Sequence, residues 1–169
     1  MKRLFVAIEI PTKIKDKIFE EIIKPLNNVK KTDQTNLHIT LCFIGDTLEQ
    51  KEKQIIQALE KVEFKEFNIL IGRPGQFNEK VFWVSAESIE LYDLAQKISA
   101  AICKDNEFNG HITVARSNEL TIFEKEFALI KNKKVNSTIK VKKFVLFESK
   151  PSTKGSIYVK VKEFSKKKK

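Results

Sequence analysis

The sequence predicts an α+β fold of two lobes, with two antiparallel sheets lining a central cleft and helices on the outside. Two observations lead there. Short β-branched runs alternate with longer stretches of helical periodicity in the order β-α-β-α-β-β-α-β-α-β-β. One six-residue pattern also occurs twice, the second copy offset from the first by 73 positions, as it would if similar halves were packed face to face.

Each element follows from its residues. Arg3 to Ile10 is a short apolar run stopped by Pro11, which suits a strand. Thr12 is placed to cap a helix whose stripe is Ile14, Ile18, Ile22 and Leu26. His38 to Ile44 reads as a strand bounded by Gly45-Asp46. A second helix is expected from Thr47, with Gln50 in capping-box spacing and Leu48, Ile55, Ile56, Leu59 and Val62 on its buried face. Phe67 to Ile71 and Val81 to Ser85 are strands flanking a turn-rich stretch with Gly72, Pro74, Gly75 and Asn78. Leu91, Leu94, Ala95, Ile98 and Ile102 mark a third helix, and Asn109-Gly110 precedes a strand over His111 to Ala115. Thr121 and Glu124 suit the start of a fourth helix. Strands over Thr138 to Glu148 and Ser156 to Phe164 follow, parted by Pro151 and Gly155.

Composition bounds the function. The 169 residues are 41% hydrophobic and 32% charged, which fits one folded bilobal domain over 1–169. The formal charge of +10 suits a polyanion such as RNA, although a lysine-rich surface is also what a merely solvated protein carries. The run Lys166 to Lys169 reads as a solvated or disordered tail. Glu9 interrupts the first apolar run too early for a signal peptide, and no stretch is apolar enough to span a membrane. Cys42 and Cys103 make no disulfide framework or paired metal spacing, so a reducing cytoplasm, no metal and no cofactor are expected.

The repeat carries the chemistry. Asn36-Leu37-His38-Ile39-Thr40-Leu41 is matched by Asn109-Gly110-His111-Ile112-Thr113-Val114, and these are the chain's 2 histidines. Strand alternation places His38 with Thr40, and His111 with Thr113, on one face each. Two imidazoles flanking a phosphorus atom suit in-line hydrolysis, one taking a proton from water while the other protonates the departing oxygen. The hydroxyls can bond the non-bridging oxygens that gain charge during attack. Alternation also puts Cys42 on the His38 face, which leaves a cysteine nucleophile open, and a matched pair of purely structural histidines is the bland alternative.

The paired motifs resemble the 2H phosphoesterase superfamily, in particular the RNA 2′,3′-cyclic phosphodiesterases, also called 2′-5′ RNA ligases. The similarity spans nearly the whole chain, from Arg3-Leu4-Phe5-Val6-Ala7-Ile8 through Phe43-Ile44-Gly45, Gly75-Gln76-Phe77, Val81-Phe82-Trp83 and His111 to Arg116, to Tyr158 and Phe164. The resemblance implies the two-lobed fold and metal-independent opening of a terminal 2′,3′-cyclic phosphate to a 2′-phosphate, with a reversible 2′-5′ ligase activity on suitable ends. It implies His38 as general acid, His111 as general base, and Thr40, Thr113 and Arg116 as phosphate-binding residues. The implied partner is an RNA or oligonucleotide end, handled by a monomer. Phe5 and Phe77 can face a base, but core packing is the expectation for both. A non-catalytic RNA-binding module stays open beside this reading. So does an enzyme for linear 2′-5′ oligonucleotides or small cyclic nucleotides.

Overall fold

The computed structural model describes residues 1–105, 107–153 and 155–165; the lysine run 166–169 lies outside them. Among the described residues nine strands form two antiparallel sheets with four α-helices: β1 (Lys2–Glu9), α1 (Thr12–Ile18), β2 (Lys30–Lys31), β3 (His38–Thr47), α2 (Glu49–Leu59), β4 (Phe67–Phe77), β5 (Val81–Glu87), α3 (Ile89–Ala101), β6 (His111–Arg116), α4 (Leu120–Ile130), β7 (Ser137–Val141), β8 (Lys143–Ser152) and β9 (Gly155–Ser165). The first sheet has the order β3-β1-β8-β9 and the second β2-β6-β5-β4-β7. The two-lobed α+β architecture is therefore as the sequence predicts, and β3, the edge of one sheet, lies against β6 of the other.

β1 is buried continuously from Leu4 to Ile8 because both its faces are covered. Leu4, Val6 and Ile8 join the large core that also holds Ile18, Ile22, Leu59, Leu94 and Ile98 of the helices. Phe5 and Ala7 face the other way and pack with Val145, Phe147 and Tyr158 as the floor of the cleft.

Several boundaries differ from the sequence reading, each for a local reason. The stripe Ile14-Ile18-Ile22-Leu26 repeats every four residues, which drifts by about 40° per step around an ideal α-helix of about 100° per residue. A wider π turn over Phe19–Ile23 absorbs that drift and keeps Ile22 and Ile23 buried. Thr47 ends β3 instead of capping α2: its hydroxyl donates to the Gly45 carbonyl at 2.9 Å, and the helix starts after Leu48 without a side-chain cap. Thr121 likewise falls inside α4, with Glu119 at the cap position.

The stretch expected as a turn before Asn78 is strand. β4 runs through Pro74 because β7 pairs with it only over Phe67 to Ile71, so beyond that point the missing amide hydrogen is not needed for a neighbouring strand. The reversal falls at Asn78 and Glu79, whose φ values are +49° and +53°, with the Lys80 amide donating to the Phe77 carbonyl. The single strand expected over Thr138 to Glu148 is two. Its apolar alternation breaks at Lys142-Lys143, and there the chain leaves the second sheet as β7 and joins the first as β8.

The two-residue β2, not foreseen from sequence, covers the outer edge of β6, with Lys30 opposite Arg116 and Lys31 opposite Ala115. Buried Glu126 of α4 fixes the loop leading into it. Its carboxylate accepts the backbone amides of Asn27 at 2.7 Å and Asn28 at 3.1 Å, and the Asn28 side chain at 3.0 Å. Burial opposes the charge, but these donors outweigh it and hold the Glu126 pKa below its ordinary value. Replacing Glu126 with Ala leaves those amides without their acceptor; urea denaturation is expected to show a loss of about 2 kcal/mol.

Candidate active site

His38 opens β3 and His111 opens β6, and the local geometry of the two is nearly the same. The His38 Nδ1 lies 2.6 Å from the carbonyl oxygen of Asn36, two residues earlier, and the His111 Nδ1 lies 2.7 Å from that of Asn109. A carbonyl only accepts, so each Nδ1 carries the proton and Nε2 is left for chemistry. In His38, Nε2 is 2.9 Å from the Thr40 hydroxyl.

Aromatic rings back each imidazole. Phe5 and Tyr158 stand 5.1 Å from the His38 ring, Tyr158 edge-on. Phe77 stands 4.9 Å from the His111 ring, also edge-on, with Trp83 at 6.4 Å. Trp83 takes this position because Gly75 opposite it has no side chain; a Cβ there would come within 2.1 Å of the indole. Gly110 similarly lets the backbone before His111 close on Ala86, whose carbonyl oxygen would lie 2.2 Å from an added Cβ.

The copies share one further feature, a β-bulge. In β3, Thr40 pairs with Ala7 and Cys42 with Val6, so Leu41 is an extra residue. In β6, Thr113 pairs with Trp83 and Ala115 with Phe82, so Val114 is the extra residue. Alternation shifts by one after each bulge. Residues 41 and 42, and 114 and 115, are therefore both buried, whereas Phe43 and Arg116 turn outward.

Cys42 is consequently not on the face of His38 and Thr40. It is buried in the main core, burial pushes its thiol pKa up, and its Sγ lies 3.7 Å from the Phe43 carbonyl. This removes the geometric basis for a cysteine nucleophile.

His38, Thr40, His111, Thr113 and Arg116 all line one cavity of about 380 Å³. Phe43, Phe77, Tyr158, Thr32 and Asn36 complete much of its wall. Phe5 is buried as the cavity floor, whereas Phe43 is 67% exposed at the rim. Sequence reasoning missed Phe43 as a site residue. The adjacent apolar pairs Leu41-Cys42 and Val114-Ala115 were the available signal of a bulge, since two consecutive inward residues cannot occur in regular alternation. Among the described residues no group of three or more His, Cys, Asp or Glu is placed to hold a metal ion. No helix among them is long and apolar enough to cross a membrane.

Burial is the main force on both imidazoles and lowers both pKa values, against the Asn36 and Asn109 carbonyls, which favour the charged rings. His111 and Lys15 add to the lowering at His38, and Arg116 does so at His111.

The family model of the 2′-5′ RNA ligase superfamily matches residues 12–152. An RNA 2′,3′-cyclic phosphodiesterase of Archaeoglobus fulgidus is 31% identical over 169 aligned residues, covering 92% of this chain and 96% of the relative. One of Methanocaldococcus jannaschii is 28% identical over 96% and 99% of the two chains. The crystal structure of Escherichia coli LigT complexed with ATP superposes with a TM-score of 0.84 at 23% identity, covering 99% of both chains. The fold is thus that of the LigT phosphoesterases. The chain belongs to the 2′-5′ RNA ligase superfamily.

The fold lowers both imidazole pKa values, so the unfolded chain binds more protons below about pH 6.5. Their contribution to stability is full above that value and falls as the pH drops toward the folded-state pKa values. Thermal melts between pH 5 and 7.5 are expected to show a smaller loss of Tm on acidification in a His38→Asn, His111→Asn double variant than in the parent protein.

Proposed function

We propose that this protein is a metal-independent RNA 2′,3′-cyclic phosphodiesterase that opens a terminal cyclic phosphate to a 2′-phosphate, and that joins ends through a 2′-5′ linkage when a 5′ hydroxyl replaces water as the nucleophile. The observation that carries the reading is the pair of imidazoles, each anchored through Nδ1 to a carbonyl two residues back, lining one cavity with two threonines and an arginine. Relatives bearing that enzyme name at 28% and 31% identity support the substrate class.

In this mechanism His111 Nε2 takes a proton from water as its oxygen attacks phosphorus. The bond from phosphorus to the 3′ oxygen breaks, and His38 Nε2 supplies the proton that this oxygen gains. The Arg116 charge beside His111 disfavours a protonated ring, which suits a base. Thr40 and Thr113 donate to the non-bridging oxygens, and Arg116 adds a cation to the charge developing there. The exposed Phe43 ring serves as a platform for the terminal base. Its centre is 6.2 Å from Phe5, which in turn is 5.1 Å from His38.

Both histidines come from one chain, so a monomer over 1–169 as one bilobal domain carries the whole site. A cytoplasmic setting is consistent with the free thiols of Cys42 and Cys103.

Turnover of a 2′,3′-cyclic mononucleotide or RNA end in the presence of EDTA tests the reading; no turnover between pH 5 and 8 would sink it. Because both imidazole pKa values are lowered, kcat/KM is expected to follow a bell whose maximum lies below about pH 6.5. A base must be neutral and an acid protonated, so His111→Ala flattens the acidic limb and His38→Ala the alkaline limb, each cutting kcat by roughly 10²–10⁴-fold. Phe43→Ala is expected to raise KM roughly tenfold while changing kcat much less, as loss of a stacking partner requires.

A further inference from the structure

The catalytic cavity continues into a second concavity of about 690 Å³, large enough for a nucleotide. Thr32, Asn36, Arg116 and Tyr158 line both spaces. The walls of the second space come from different sheets, with Lys30 and Lys31 of β2 on one side and Ser156 and Tyr158 of β9 on the other.

Charge gives this groove a direction. Lys30 joins Arg116 there, whereas the Lys31 ammonium is turned to the Lys24 carbonyl at 3.3 Å, and among the described lining residues the one carboxylate is Asp33. The Asp33 side chain is turned to its own loop, where Oδ1 accepts the Thr35 amide at 2.8 Å. Lys30 is exposed and is the direct cross-strand partner of Arg116. Directly opposed residues in an antiparallel pair share a face, with Cβ atoms about 4.5–5.5 Å apart, and like charges in that position destabilise the sheet. Such a pairing is relieved when an anion lies across both side chains. Arg116 reaches the catalytic cavity, so the row of cations begins at the reacting phosphate and leads outward.

The geometry points to this groove as the binding site for the nucleotide that precedes the cyclic end, with Lys30 on the phosphodiester joining the two. This inference rests on the phosphodiesterase reading. A terminal 2′,3′-cyclic phosphate occupies both ribose hydroxyls of the last nucleotide, so the strand can leave only through the 5′ oxygen. Phe43 lines the catalytic cavity, and Arg116 lines both spaces, which separates a place for the terminal base from a path for the strand. The preferred substrate is then an oligonucleotide end, and a cyclic mononucleotide fills only half of the site.

Steady-state kinetics on 2′,3′-cyclic AMP and on a trinucleotide ending in a 2′,3′-cyclic phosphate provide the test. The unaltered protein is expected to favour the trinucleotide by about tenfold in kcat/KM, mostly through KM, and that preference shrinks with added salt. Lys30→Ala is expected to remove most of the preference while changing turnover of the mononucleotide less than about twofold; Lys30→Arg retains it. Equal rates of the unaltered protein on both substrates, or an equal effect of Lys30→Ala on both, overturns the groove assignment and leaves the phosphodiesterase reading standing. No turnover of either substrate overturns both.

Discussion

Two hydrogen bonds of one design, from Nδ1 of His38 to the Asn36 carbonyl and from Nδ1 of His111 to the Asn109 carbonyl, set the terms for the whole site. They settle which nitrogen of each ring carries its fixed proton, hold the ring plane, and direct Nε2 to the cavity. Each acceptor is backbone, so its position is set by how the chain approaches the strand. For His38 that approach is a short 3₁₀ turn over Gln34–Asn36, with Asp33 accepting the Thr35 amide at its start. For His111 it is the close passage of Gly110 against Ala86. Different local structures thus deliver the same anchor.

The matched bulges explain how a repeated motif yields a site with unlike halves. Without an extra residue at 41 and at 114, Phe43 and Arg116 would point into the core, where an arginine is costly to bury. With it, one copy offers an apolar ring at the rim and the other a guanidinium. A nucleotide also has an apolar plane and an anionic group, and in the proposed reaction these would fall to the two half-sites respectively.

Much of this was legible in the sequence. The duplicated His-x-Thr pattern pointed to residues that line one cavity, because period-two alternation holds over the three residues from His to Thr. Beyond Thr40 the same rule misplaced Cys42, since a bulge adds a residue that alternation cannot count. β2 was invisible because two lysines in a row, Lys30 and Lys31, carry no hydrophobic pattern and are held by pairing with β6 and by Glu126 beneath their loop. The passage of Lys142 between sheets was hidden by the apolar residues on both sides of it, which read as one strand. Pro74 in β4 depended on the length of a neighbouring strand, which is a tertiary fact.

The interleaving of the sheets bears on how the chain reaches this state. β1 pairs with β3 on one side and with β8 on the other, and in the second pairing Arg3 meets Ser149. Every element of the second sheet lies between those two partners in the chain. The β1–β3 ribbon can form early, but its other edge, carrying the apolar run Leu4 to Ile8, stays open until β8 arrives. Closing so long a loop is slow, and an unpaired apolar edge is the kind of surface on which chains associate wrongly. During synthesis that edge must wait until the chain has emerged as far as β8, which makes the interval before β8 docks the stage at which this protein is most exposed to aggregation.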